Sequence, residues 1–154
     1  MSGKPRRVVF GSDHAGYEMK RFLIEAVADM EIEVEDLGTN GTSPVDYPDY
    51  AEAVAERISN GTADVGVLAC GTGIGMDITA NKFPGVRAAL LYDDTAARCA
   101  RMHNDANIAV FGGRTMTQQD AARRIRIFLE EPYEGGRHKA RLDKIRVIEN
   151  KNGK

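Results

Sequence analysis

Residues 69–77 read Ala-Cys-Gly-Thr-Gly-Ile-Gly-Met-Asp, a thiol followed by three glycines spaced two apart. Glycine at 71, 73 and 75 allows backbone angles closed to other residues, so several amide N–H groups can be aimed at one point. Amides gathered where a strand hands over to a helix hold an anion, and the partial positive charge of the helix N-terminus adds to the attraction. Cys70 stands at the mouth of that loop, where a thiolate is favoured, and a thiolate serves as a nucleophile or as a proton-abstracting base. The plainer alternative is a tight strand-to-helix turn with no ligand, and one loop alone leaves the two readings level. A dinucleotide fingerprint is a minor third reading. Asp93 near the end of the next strand would be its ribose ligand, but the last glycine comes one residue early and the chain is too short for a usual substrate domain.

Other reactive side chains cluster around glycine. Asp13 and His14 lie in Gly-Ser-Asp-His-Ala-Gly. Asp13 could cap a helix starting near Ala15, whereas a histidine in a glycine-bounded loop is hard to explain by packing. His103 heads His-Asn-Asp-Ala-Asn at a helix end, where an imidazolium would meet the helix C-terminus favourably. Arg137 and Arg141 are four apart and share a helix face, either a solvated basic face or a phosphate clamp. His138 on the same helix reads as exposed. Arg114 directly follows a strand. Cys99 reads as inert packing inside a helix. Cys99 and His103 are four apart but lack a third ligand, so no metal site is expected.

These residues need elements to position them. Short apolar runs at 8–10, 32–37, 65–68, 86–91 and 108–111 read as strands. Between and after them, 17–30, 50–58, 74–81, 94–103, 118–129 and 137–149 carry helical periodicity or helical composition, and 38–48 is a loop. Strands alternating with helices imply parallel pairing with helices on both faces. The expected architecture is a three-layer, doubly wound α/β sandwich with five parallel strands, flavodoxin-like or Rossmann-like. Ligands of such sheets bind beyond the carboxyl ends of the strands. That rule selects 11–16, 70–75, 92–94 and 112–115 before any chemistry is invoked.

The chain has 154 residues, 42% hydrophobic and 29% charged, which suits one folded domain spanning 1–154. A formal net charge of −2 argues against a nucleic-acid binder. No apolar run is long enough to span a membrane, and 1–7 is polar and basic rather than a secretory h-region. A cytoplasmic location is therefore expected. Two cysteines do not make a disulfide framework.

Six motifs occur in order: GSDHAG, DYPDYA, CGTGIGM, ANKFPGVRAAL, HNDANIAVFGGR and YEGGRHKAR. The set resembles the type B ribose-5-phosphate isomerases, within the family that includes the galactose-6-phosphate isomerase subunits, over about 8–149. The resemblance implies interconversion of ribose 5-phosphate and ribulose 5-phosphate without metal or organic cofactor, by homodimers with sites at the interface; pairing into tetramers is left open. It makes Cys70 the base that moves the proton between C1 and C2. The amides of Gly71, Thr72, Gly73, Ile74 and Gly75 would hold the enediolate. His103 would assist furanose opening, and Asp13 would bind sugar hydroxyls. His14, Arg137 and Arg141 would hold phosphate, with the 137–149 helix contributing to site and dimer. Asn104 and Arg114 would come from the partner chain, and Tyr47 would line the site. Met76 stands where some relatives carry a glutamate in place of the cysteine. Asp77 departs from a commonly small or neutral residue, which keeps a six-carbon substrate such as allose 6-phosphate as the alternative. A non-catalytic module binding a sugar phosphate or nucleotide is the competing class.

Overall fold

Valine, isoleucine, leucine and phenylalanine dominate the central strands of the computed structural model, which describes residues 3–153. The elements are β1 (Arg7–Ser12), α1 (Tyr17–Ala26), β2 (Glu33–Asp36), α2 (Tyr47–Ser59), β3 (Val65–Cys70), α3 (Ile74–Ala80), β4 (Ala88–Leu90), α4 (Asp94–Met102), β5 (Ile108–Gly112), α5 (Gln118–Glu130) and α6 (Arg137–Lys151). All pairings are parallel, in the order β2-β1-β3-β5-β4. This is the expected three-layer α/β sandwich.

Alternation along the strands sorts the core into two halves. Val8, Phe10, Val65, Val67, Ala69, Ala109 and Phe111 pack against α1, α4 and α5. Val9, Leu68, Cys70, Ile108 and Val110 pack against α2 and α3. Each fully buried valine, leucine or phenylalanine contributes about 1.5–3 kcal/mol. β2, Glu-Val-Glu-Asp, is an edge strand and stays largely exposed.

Boundaries shift where tertiary needs outweigh pattern. α1 stops at Ala26 rather than at Met30, because the chain must turn back to enter β2; Met30 reaches the core from the turn instead. α2 begins at Tyr47, inside the expected loop. Pro48 suits its first turn because the missing N–H would be unpaired there anyway. α6 lies outside the two helical layers, and only His138 among its residues is buried. No helix among the described residues is long and apolar enough to cross a membrane.

Candidate active site

Parallel pairing brings the carboxyl ends of β1, β3 and β5 side by side, with Ser12 opposite Ala69 and Cys70 opposite Gly112. The loops beyond are stitched together. Asp13 N–H donates to the Ala69 carbonyl at 3.3 Å, Gly113 N–H to the Cys70 carbonyl at 2.8 Å, and Arg114 N–H to the Gly71 carbonyl at 2.8 Å. Asp13, Cys70 and Arg114 thus meet at one edge of the sheet, as the strand-end rule requires.

Cys70 is 4% exposed, and the Gly73 N–H donates to its sulfur at 3.2 Å. Gly73 has φ +83°, and a Cβ there would stand 2.5 Å from Leu90 Cδ1 and 3.1 Å from the Phe111 carbonyl oxygen. Only glycine meets both demands. Ile74 N–H donates to Thr72 Oγ1 at 3.3 Å. Two of the loop's amides are therefore engaged inside the loop, one of them by the thiol itself. The following helix α3 has seven residues, so the loop's own geometry organises this corner more than a helix terminus does.

Other side chains line the loops at this sheet edge. Arg114 Nη1 lies 3.1 Å from where a Cβ on Gly71 would stand. Arg114 consequently stands beside the cysteine loop of its own chain, whereas the resemblance implies that it comes from a partner. Tyr47 lays its ring over Gly75, where a Cβ would sit 2.5 Å from the ring carbons. Asp13 is buried, and its Oδ1 accepts the Gly16 N–H at 3.0 Å. It thus fastens the turn leading into α1. His14 Nδ1 accepts the Val45 N–H at 3.1 Å, so the neutral ring carries its hydrogen on Nε2. Asp93, the residue on which dinucleotide binding depended, accepts the Ala96 N–H at 2.6 Å and caps α4.

A second cluster forms at the opposite end of the sheet. α4 runs back against the strands and ends at His103, whose N–H donates to the Cys99 carbonyl. The turn after it is tightly held. Arg87 donates to the Asn104 and Asp105 carbonyls, and the buried Arg101 pairs with Asp105 at 3.1 Å. Glu134 N–H donates to the Met102 carbonyl, which brings the start of α6 beside His103. The His103 and His138 rings stack, with centroids 4.2 Å apart and planes at 16°. Arg137 and Arg141 leave the first turns of the same helix.

His138, expected to be exposed, is 4% exposed. Burial first, then the charges of His103 and Arg137, hold its imidazole below the ordinary range, against the pull of Glu134. The stacking and the Glu134–His138 spacing of four residues escaped the sequence reading. Glu134 precedes α6, so helical periodicity does not mark the pair, and nothing in the sequence joins it to His103 some thirty residues away. Cys99, expected as buried packing, is partly exposed and lines a groove of about 750 Å³ with Leu90, Tyr92, Asn104, Ile145 and Ile148.

The two clusters are far apart within one chain. β3 spans six residues, about 16 Å at roughly 3.3 Å per residue, with Cys70 at its far end. Asp13, His14, Tyr47, Cys70, the 71–75 loop and Arg114 gather at one end, and His103, Asn104, Arg137 and Arg141 at the other. Asp77 is engaged within α3 and its C-cap. Its Oδ1 accepts from Asn81 Nδ2 at 3.3 Å, and Asn81 in turn pins both polar backbone groups of Ala88 in β4. Burial pushes the Asp77 carboxyl up.

Residues 8–145 match the model of the Ribose/Galactose Isomerase family. The chain is 39% identical to ribose-5-phosphate isomerase B of Escherichia coli over 144 residues, 94% of this chain and 97% of that protein. Its fold superposes on that of Clostridium thermocellum ribose-5-phosphate isomerase B with a TM-score of 0.93, at 42% identity, covering 96% and 99% of the two chains. It superposes on Mycoplasma genitalium ribose-5-phosphate isomerase B, solved with bound ribulose 5-phosphate, with a TM-score of 0.89, at 37% identity, covering 94% and 96%.

Proposed function

The chain belongs to the Ribose/Galactose Isomerase family, and from that premise we propose that it is an aldose–ketose isomerase interconverting ribose 5-phosphate and ribulose 5-phosphate in the cytoplasm. The observation that carries the reading is a buried cysteine set inside a glycine loop, with Asp13, His14 and Arg114 at the same sheet edge.

The chemistry follows from what this isomerisation requires. Cys70 takes the proton from C2 of the open-chain aldose and returns it to C1. Negative charge gathers on oxygen in between, as an enediolate. Amides of the 71–75 loop, with Thr72, meet that charge; one preorganised donor in comparable sites is worth about 2.7–4 kcal/mol. Asp13 holds sugar hydroxyls, and Tyr47 walls the site over Gly75. Base, oxyanion donors and phosphate cations all come from the chain, so the reaction as proposed uses no metal or organic cofactor.

We read the site as shared between two copies. His103 opens the furanose ring, and Asn104, Arg137 and Arg141 complete the site, yet these groups stand at the end of the sheet opposite Cys70. A second copy can supply them. Ile74, Ile78, Tyr92, Ile145 and Ile148 form exposed apolar surface near the β4 edge, where burial against a like face would be favourable. A two-fold pair then carries two equivalent sites, each with Cys70, His14 and Arg114 from one copy and His103, Asn104, Arg137 and Arg141 from the other.

Asp77 bears on the substrate. Its engagement with Asn81 supports a structural role, which favours the five-carbon sugar over allose 6-phosphate. The deciding experiment measures kcat/KM for ribose 5-phosphate and allose 6-phosphate by ketose formation. A preference for ribose 5-phosphate is expected. Preference for the hexose would reassign the substrate, and tight binding without turnover of either would leave a non-catalytic module.

A further inference from the structure

His138 Nε2 is, with Ser12 Oγ and Tyr133 Oη, one of the buried polar atoms that the isomerase reading leaves unused. The His138 ring is 4% exposed, and this nitrogen has no hydrogen-bond partner among the described residues. It is aimed toward two other donor atoms. Glu134 Oε2 lies 3.9 Å from it and 3.9 Å from His103 Nε2, and the three atoms fall within 4.8 Å of one another. The Glu134 amide is tied to the Met102 carbonyl, so the backbone that brings the three together is fixed.

We propose that His103, Glu134 and His138 form a binding site for a divalent transition-metal ion of the zinc type, whose occupation withdraws His103 from the reaction. Two imidazoles and a carboxylate are a ligand set suited to zinc, cobalt and nickel rather than to calcium or magnesium. A ligating imidazole must be neutral, and burial of His138 disfavours its charged form. Metal–ligand bonds of about 2.0–2.2 Å put tetrahedral ligand atoms roughly 3.3–3.6 Å apart, so the two 3.9 Å separations must shorten by roughly half an ångström. His103 and Glu134 have side chains 34% and 48% exposed, which leaves them room to rotate. His138 is the fixed ligand, and the ring stack opens as His103 turns its nitrogen to the ion. Arg137 and Arg141 oppose a cation here, and the Glu134 carboxylate offsets them only in part. The ion is therefore an inhibitor that comes and goes, not a resident cofactor.

Cobalt binding, followed by its visible absorption, reads the site without turnover and so separates this proposal from the isomerase reading. The inhibition does rest on that reading. Co²⁺ should give the spectrum of a nitrogen–oxygen site with no thiolate charge-transfer band, and Cys70→Ala protein should bind it as tightly as wild type. Zn²⁺ should inhibit turnover, and a chelator should reverse this. His138→Gln and Glu134→Gln, each judged against its own metal-free rate and checked for fold by circular dichroism, should weaken cobalt binding and zinc inhibition at least about tenfold. Glu134 is half-exposed, so its variant keeps the test open should His138→Gln fail to fold. Absence of cobalt binding, its loss in Cys70→Ala, or unchanged affinity in the folded variants would each overturn the proposal.

Discussion

The Gly73 amide donates a hydrogen bond to the Cys70 sulfur over 3.2 Å, and it can do so because Gly73 holds φ at +83°. Thiol and oxyanion loop are thus one piece of geometry. A side chain at 73 would strain the backbone by about 1–2 kcal/mol and press on Leu90 and the Phe111 carbonyl. Gly73→Ala should therefore lower both the melting temperature and kcat, the latter by tenfold or more on the scale of one lost oxyanion contact. Gly41→Ala, which meets open space, is the matched control and should do neither. Equal kcat in the two variants would show that the bond and the turn at Gly73 do not serve turnover.

Removing the base should cost far more than disturbing its loop. General base catalysis is worth about 10²–10⁴-fold, so Cys70→Ala should lose at least that much kcat with an unchanged circular dichroism spectrum. Iodoacetamide should inactivate the wild type, and ribose 5-phosphate should slow the inactivation. Wild-type kcat in Cys70→Ala would remove Cys70 from the proton transfer.

The fold was legible because its signals are local and repeated. Each inner strand is a short apolar run, and each β-α handover is marked by glycine or a capping residue such as Asp93 or Thr117. The strand-end rule then found Asp13, Cys70 and Arg114 without any chemistry. Two kinds of fact stayed hidden. Arg114 stands beside Gly71 of its own chain, and a motif says which residues share a site but not which chain each comes from. His138 was read as exposed because α6 is polar nearly all round, and its burial depends on the distant ring of His103.

The proposed phosphate contacts are separable from the chemistry. Arg137→Ala and Arg141→Ala should each weaken substrate binding by about 1.5–3 kcal/mol, the range for charge-assisted hydrogen bonds. Because the phosphate is remote from the reacting carbons, part of the loss should fall on kcat. Both variants should discriminate less between ribose 5-phosphate and free ribose. An undiminished preference in both would return the two arginines to a solvated basic face.

His138 should leave a mark on stability as well. Its folded-state value lies below the ordinary 6.5, so in the window between the two the unfolded chain binds more protons than the folded one. Its contribution is fully present above pH 6.5 and is lost as pH falls through the lowered value. Urea midpoints of the wild type should therefore drop as the medium is acidified below pH 6.5, and His138→Gln should flatten that slope. Parallel slopes in wild type and variant would mean that other groups control the acid limb.

A shared site makes a prediction that no single-chain site can match. Mix inactive Cys70→Ala chains with inactive His103→Ala chains and let subunits exchange. In a mixed dimer one site collects both defects, while the other pairs an intact Cys70 with an intact His103. Random pairing makes about half the dimers mixed, so roughly a quarter of all sites should recover, by symmetry alone. Exchange is checked separately, by tagging one chain and recovering the other with it. If exchange is demonstrated and the mixture stays inactive, His103 does not act on a partner's substrate. His103 stands at the end of the sheet opposite its own Cys70, and β3 alone is about 16 Å long, so His103 would then have no part in the reaction.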